Sequence, residues 1–168
     1  MNSELYTTLD RDKSEIRLLH LPPRRVAFNS TYSDNEIIEC SLVSANLNDA
    51  HYEALSYEWG PPNPPGSSFK LQINGVTQEV RENLWRALFY LRRDGIRTLW
   101  VDALCINPKD VRERNHQVGQ MVDVYQKANH VVIWLGREHE ELEHLRRTRN
   151  QLLCSKLLQM EILIAFYH

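Results

Sequence analysis

The sequence predicts an α/β fold: an open, mostly parallel sheet flanked by helices, with a β-hairpin inserted into it. Three observations carry this. From Tyr52 onward, short apolar runs alternate with amphipathic segments, the order that builds a parallel sheet covered by helices. The run Thr98–Ile106 is apolar on both faces, as a central strand must be. In "FKLQINGVTQEV", Asn74-Gly75 separates two alternating runs, and both central positions of a type I′ turn need the positive φ that Asn and Gly tolerate best.

Taken in order, residues 1–15 read as a polar, loose leader. Ile16–Leu21 is a short strand stopped by Pro22-Pro23, and Ile37–Leu47 is a second with rough alternation in its first half. Tyr52–Gly60, "YEALSYEWG", is a third, followed by the breaker-rich loop "PPNPPGSS". After the hairpin, Leu84, Ala87, Leu88 and Leu91 repeat at helical spacing, which predicts a helix over 82–93 closed by Asp94-Gly95. Thr98–Ile106 is the next strand. Asp110 with Glu113 three residues on reads as a capping box, opening a helix over 111–128 with Val118, Met121, Val122, Tyr125 and Ala128 as its buried stripe. Val131–Leu135 is a further strand, and a long amphipathic helix follows from Glu138.

With 168 residues, 42% hydrophobic and 25% charged, the chain suits one ordinary globular domain. A formal net charge of -2 gives no basic field for nucleic acid. Cys40, Cys105 and Cys154 are an odd, widely spaced set, neither a disulfide framework nor a zinc pattern, which implies a reducing, cytoplasmic setting. The N-terminus lacks a signal peptide's apolar core, and the most apolar stretch, Leu152–His168, is broken by Lys156 and Glu161, so no membrane role is expected. The His residues lack ligand spacing, and no Gly-rich phosphate loop is present.

Ligands of open α/β sheets gather beyond the carboxyl ends of the strands. That rim is expected to hold Ser56–Trp59, Asp102–Asn107 and the residues from Gly136. Asp102 is there a candidate acid. Cys105 is either a thiol in the same pocket or, more simply, a small buried hydrophobe. Ser56, Tyr57, Glu58, Trp59 and Asn107 are candidate pocket residues, with the alternative that Tyr57 and Trp59 pack beneath the Pro-rich loop. Glu113 and Arg114 read as a helix cap and its solvated partner, a surface pair worth about 0–1 kcal/mol.

The blocks "YEALSYEWG", "NGVTQEVRENLWRALFYLR" and "LWVDALCINPKDVRERNHQVGQMVDVYQKANHVVIWLG" occur in this order. With the upstream "IRLLHLPP", they resemble the fungal heterokaryon incompatibility (HET) domain over residues 16–136. The chain departs from that pattern at Pro108, where the family commonly has Gln, and over residues 137–168, a helical segment matching poorly, as in a truncated member. The resemblance implies a fold related to the TIR domain (flavodoxin-like), and a role in fungal non-self recognition that ends in growth arrest or programmed cell death. It implies homotypic self-association, through polar helix faces and the "PPNPPGSS" loop, and an upstream sensor as partner. It requires no cofactor.

The kinship with TIR domains implies a second mechanism, an oligomerisation-activated hydrolase with NAD as substrate. TIR domains that cleave NAD use a Glu on the helix after the third core strand, which points to Glu141 or Glu143 within the acidic group Glu138, Glu140, Glu141 and Glu143. A carboxylate there stabilises the oxocarbenium-like state as nicotinamide leaves. The bland reading of that group is a solvated helix start favoured by the helix dipole. A degenerate, inactive fragment is the third reading, motivated by the apolar tail.

Overall fold

The computed structural model describes residues 5–10, 13–24, 36–92 and 95–135. The chain divides into two compact units, Met1–Trp134 and Leu135–His168. The expected helix from Glu138, including Glu138, Glu140, Glu141 and Glu143, lies outside the described residues, as does Cys154.

Seven strands form one sheet in the order β5-β4-β2-β1-β6-β3-β7. They are β1 (Glu15–Leu21), β2 (Ile38–Asn46), β3 (Glu53–Tyr57), β4 (Phe69–Ile73), β5 (Val76–Val80), β6 (Arg97–Trp100) and β7 (His130–Trp134). Helices α1 (Glu82–Leu91), α2 (Asp102–Cys105) and α3 (Val111–Lys127) flank it. The α/β class holds, but the sheet is mixed rather than mostly parallel. β3 runs parallel to β6 and to β7, and β2 runs parallel to β4. β1 is antiparallel to both its neighbours, and β4–β5 is the antiparallel hairpin. The reason is β1: it enters between β2 and β6, so one reversed strand divides two parallel groups.

Local chemistry explains the hairpin. Asn74 and Gly75 adopt φ of 51° and 80°, the type I′ pattern that the sequence demanded. Asn74 does more than turn. Its Oδ1 accepts from Leu42 N and its Nδ2 donates to Leu42 O, both at 3.1 Å, so the turn side chain pairs with β2 as a strand residue would. Asn129 works similarly at the other side of the sheet, its Oδ1 accepting from Tyr52 N and its own N donating to Tyr52 O, each at 2.9 Å. These two amides fix where β4 and β3 begin and end against their neighbours.

The core is built from β1, β3, β4, β6 and α1. Trp85 and Trp100 are fully buried. Trp85 stacks on Phe89, with ring centroids 5.1 Å apart, and meets Phe69 at a tilt. Trp100 takes Tyr125 edge-on at 5.5 Å. The helical face read from Leu84, Ala87 and Leu88 is buried as expected, joined by Trp85 and Phe89. The start of α1 is capped from outside: Asn63 of the Pro-rich loop donates to Val80 O and accepts from Glu82 N, both at 2.8 Å.

Two expectations are corrected here. Thr98–Ile106 is not one strand. β6 stops at Trp100, and Asp102–Cys105 turns into a one-turn helix held by Leu104 N and Cys105 N on Val101 O and by Ile106 N on Asp102 O. A short apolar run does not distinguish a buried strand from a buried helical turn. On α3, Asp110 caps Glu113 N at 3.0 Å as read, and Met121, Tyr125 and Ala128 of the expected stripe pack half-buried against the core; the fully buried positions, however, are Glu113, Gln117 and Val124, while Val122 is exposed. The polar residues won the inward positions because they have buried partners waiting on β1.

Residues 5–9 do not hang loose either. Leu5 and Leu9 are buried in the core, and the carbonyl of Thr7 accepts from Arg17.

Candidate functional site

Because β6, β3 and β7 are parallel, the segments leaving Trp100, Tyr57 and Trp134 gather at one end of the sheet. This is the expected rim, and the structure brings two of its predicted residues into contact there. Trp59 donates an indole hydrogen bond to the carboxyl group of Asp102, and Ala103 N donates to Asp102 Oδ1 at 2.7 Å. Burial pushes the Asp102 carboxyl above the usual aspartate range, and these two bonds oppose the shift only in part. Both donors are neutral, and no cation pairs with Asp102 among the described residues.

The arm that carries Trp59 is held from α1. Arg81 lies over the Trp59 ring at 5.5 Å and donates to Gly60 O at 2.6 Å, while Asn83 donates to Glu58 O. Asn83 also accepts from Trp134 Nε1 at 2.8 Å, tying β7 to the same rim, and Trp134 stacks on Tyr90. Trp59 itself is 37% exposed, so the Asp102 partner is within reach of solvent. Nothing in the motif reading singled out Arg81 or Asn83; both stand at a helix start, where their polarity has a local explanation.

The remaining candidates fall in different places. Ser56 and Tyr57 are half-buried at the end of β3, and Glu58 is exposed. Cys105 faces the core, its Sγ accepting from Val101 N at 3.3 Å; burial pushes its thiol up to about 12, so it stays protonated. Asn107 forms a local turn, its Oδ1 accepting from Lys109 N at 3.0 Å, and its own N donates to Glu113 at 2.8 Å. Glu141 and Glu143 lie outside the described residues. Among the described residues, no group of three or more His, Cys, Asp or Glu converges as metal ligands, and no helix is long and apolar enough to cross a membrane.

Beneath the rim sits an ion pair that the sequence reading missed. Arg17 on β1 and Glu113 on α3 are 2% and 5% exposed. They meet in a two-pronged bridge, Nη1 to Oε1 at 2.6 Å and Nη2 to Oε2 at 2.8 Å. Arg17 Nη1 also donates to Cys105 O at 3.1 Å, and the Tyr6 ring lies 5.1 Å from the guanidinium. Through these bonds the pair clamps both the end of α2 and the Asn107 turn. Glu113 is therefore a buried structural anion, not a surface cap with Arg114 as its solvated partner. A partner 96 positions away leaves no local signal.

The comparisons with known proteins agree on the family. Residues 52–161 match the profile of the family described as "Heterokaryon incompatibility protein (HET)". The chain belongs to the HET family. It is 32% identical over 141 residues to "Heterokaryon incompatibility protein 6, OR allele" of Neurospora crassa, an alignment covering 76% of this chain and 20% of that protein. The HET chain described here thus aligns with about a fifth of its relative's length. No solved structure matches it.

Proposed function

We propose that this HET chain acts in fungal heterokaryon incompatibility, converting a non-self signal from an upstream sensor into growth arrest or programmed cell death by homotypic assembly in the cytoplasm. The observation that carries this reading is the family match over residues 52–161, which spans the "SYEWG", "VDALCIN" and "VVIWLG" blocks. A relative named as an incompatibility protein supports it. On this reading the sheet is a variant of the TIR-like, flavodoxin-like arrangement, supported by the parallel β6–β3–β7 group and the residues gathered at its end.

Inducible expression of the full chain in fungal hyphae tests the proposal. Growth arrest that rises with self-association is expected; toxicity from a strictly monomeric protein would sink the assembly mechanism.

A second reading, NAD cleavage, is favoured by one observation: a half-buried acid with no counter-ion among the described residues lies beside a part-exposed indole at the rim. Its test is nicotinamide release from NAD by the clustered protein, compared with Asp102→Ala, Glu141→Ala and Glu143→Ala. Turnover lost in one variant identifies the carboxylate. No turnover in any assembled state leaves the rim as structure and the chain as a signalling scaffold.

A further inference from the structure

While the inner face of α3 is occupied by the Arg17 bridge, its outer face is bare among the described residues. Val111 is 56% exposed and Val122 is 47% exposed, with half-buried Val118 between them. Arg112 and Asp123 are exposed, and neither has an ion-pair partner among the described residues. A Cβ at Gly119 would meet nothing within 4 Å, so the backbone is open to approach there.

The order of these residues along the helix is informative. Val111 and Val122 are eleven positions apart, about three turns, so they share a face; Arg112 and Asp123 are the same distance apart on the adjoining flank. Laying a second α3 on this face in the opposite direction sets Val111 beside Val122 of the other copy, Asn115 opposite Gly119, and Arg112 beside Asp123. Each contact then occurs twice, the self-complementarity that a two-fold interface requires.

We propose that the outer face of α3 is a two-fold interface through which two copies of this chain pack with their α3 helices antiparallel. The inference rests on the homotypic reading above and names its surface. The occupant is a second copy because the face already carries the mirrored valines and the opposite charges that it needs. One 17-residue helix pair buries less than the roughly 1,200 Å² at which specific stable interfaces begin, so the dimer is weak and forms when copies are concentrated.

Sedimentation equilibrium on the full chain over a range of concentrations tests it. The wild type should self-associate. Arg112→Asp or Asp123→Arg alone should raise the dissociation constant about tenfold by setting like charges together twice, and the double reversal should restore it. Val122→Asp, at an exposed position that folding does not need, should also give monomers. Association unchanged by all these variants, or not restored in the double reversal, overturns this interface and leaves assembly through another surface standing. A wild type that stays monomeric throughout overturns both.

Discussion

Two carboxylates eleven positions apart along this chain, Glu113 buried and Asp102 half-buried, are held very differently. Glu113 is met by a guanidinium on both oxygens and by Asn107 N, and its partner Arg17 spends further bonds on Cys105 O and Thr7 O. Asp102 is met by an indole and one backbone amide, with no cation. The first is a fixed charge that holds three segments together. The second is a carboxyl whose ionised form desolvation disfavours, beside an aromatic ring that solvent reaches. Burial alone therefore does not separate the two acids; what separates them is that Glu113 has a cation partner and Asp102, at the open end of the sheet, has none among the described residues.

The contrast is sharpest when a partner is removed. Arg17→Ala or Glu113→Ala leaves an uncompensated buried charge and should cost about 3–5 kcal/mol in urea unfolding. The double replacement Arg17→Met with Glu113→Leu should be less harmful than either single change, because no charge is then stranded. If the single variants cost no more than a surface pair, Glu113 is not the anchor described here.

Asp102→Asn should do the opposite. A carboxyl whose folded-state pKa lies above its unfolded value stabilises fully below the unfolded pKa, and that contribution is lost as pH rises through the folded pKa. The asparagine keeps an acceptor for Trp59 and Ala103 N without titrating. It should therefore be the more stable protein at neutral pH, with its advantage shrinking on acidification and gone below about pH 4. Urea titrations at a series of pH values check this, and an Asn variant less stable at neutral pH than at acid pH, relative to the wild type, would reverse the sign.

Smaller still, Gly119→Ala on the outer face of the same helix should stabilise the monomer by up to about 1 kcal/mol in thermal unfolding, since nothing crowds the added methyl. A loss of stability there would mean that the outer face of α3 is covered.

What the sequence made legible was local. Asn74-Gly75 announced a turn because its backbone conformation admits few other residues, and Asp110 announced the start of α3 because its side chain binds an amide three residues on. The Asp102–Trp59 rim was legible as a neighbourhood, since parallel strands deliver their carboxyl ends to one side. The rest depended on contacts distant in sequence. That β1 enters antiparallel between β2 and β6 is decided by pairing, such as Leu19 with Leu99, not by any pattern inside "IRLLHL". Glu113 looked like a surface cap because Arg17, its reason for facing inward, lies on that strand. The turn at Asp102 hid inside a continuous apolar run.

The most direct test of the contrast is the pH titration of the Asp102 carboxyl carbon by NMR, in the wild type and in Trp59→Phe. The account predicts a midpoint above that of an ordinary aspartate, moving higher still in Trp59→Phe, because the indole bond favours the ionised form. An ordinary or depressed midpoint, or one that Trp59→Phe leaves in place, would mean that Asp102 is a compensated structural acid like Glu113 and that the rim has no titratable group at its centre.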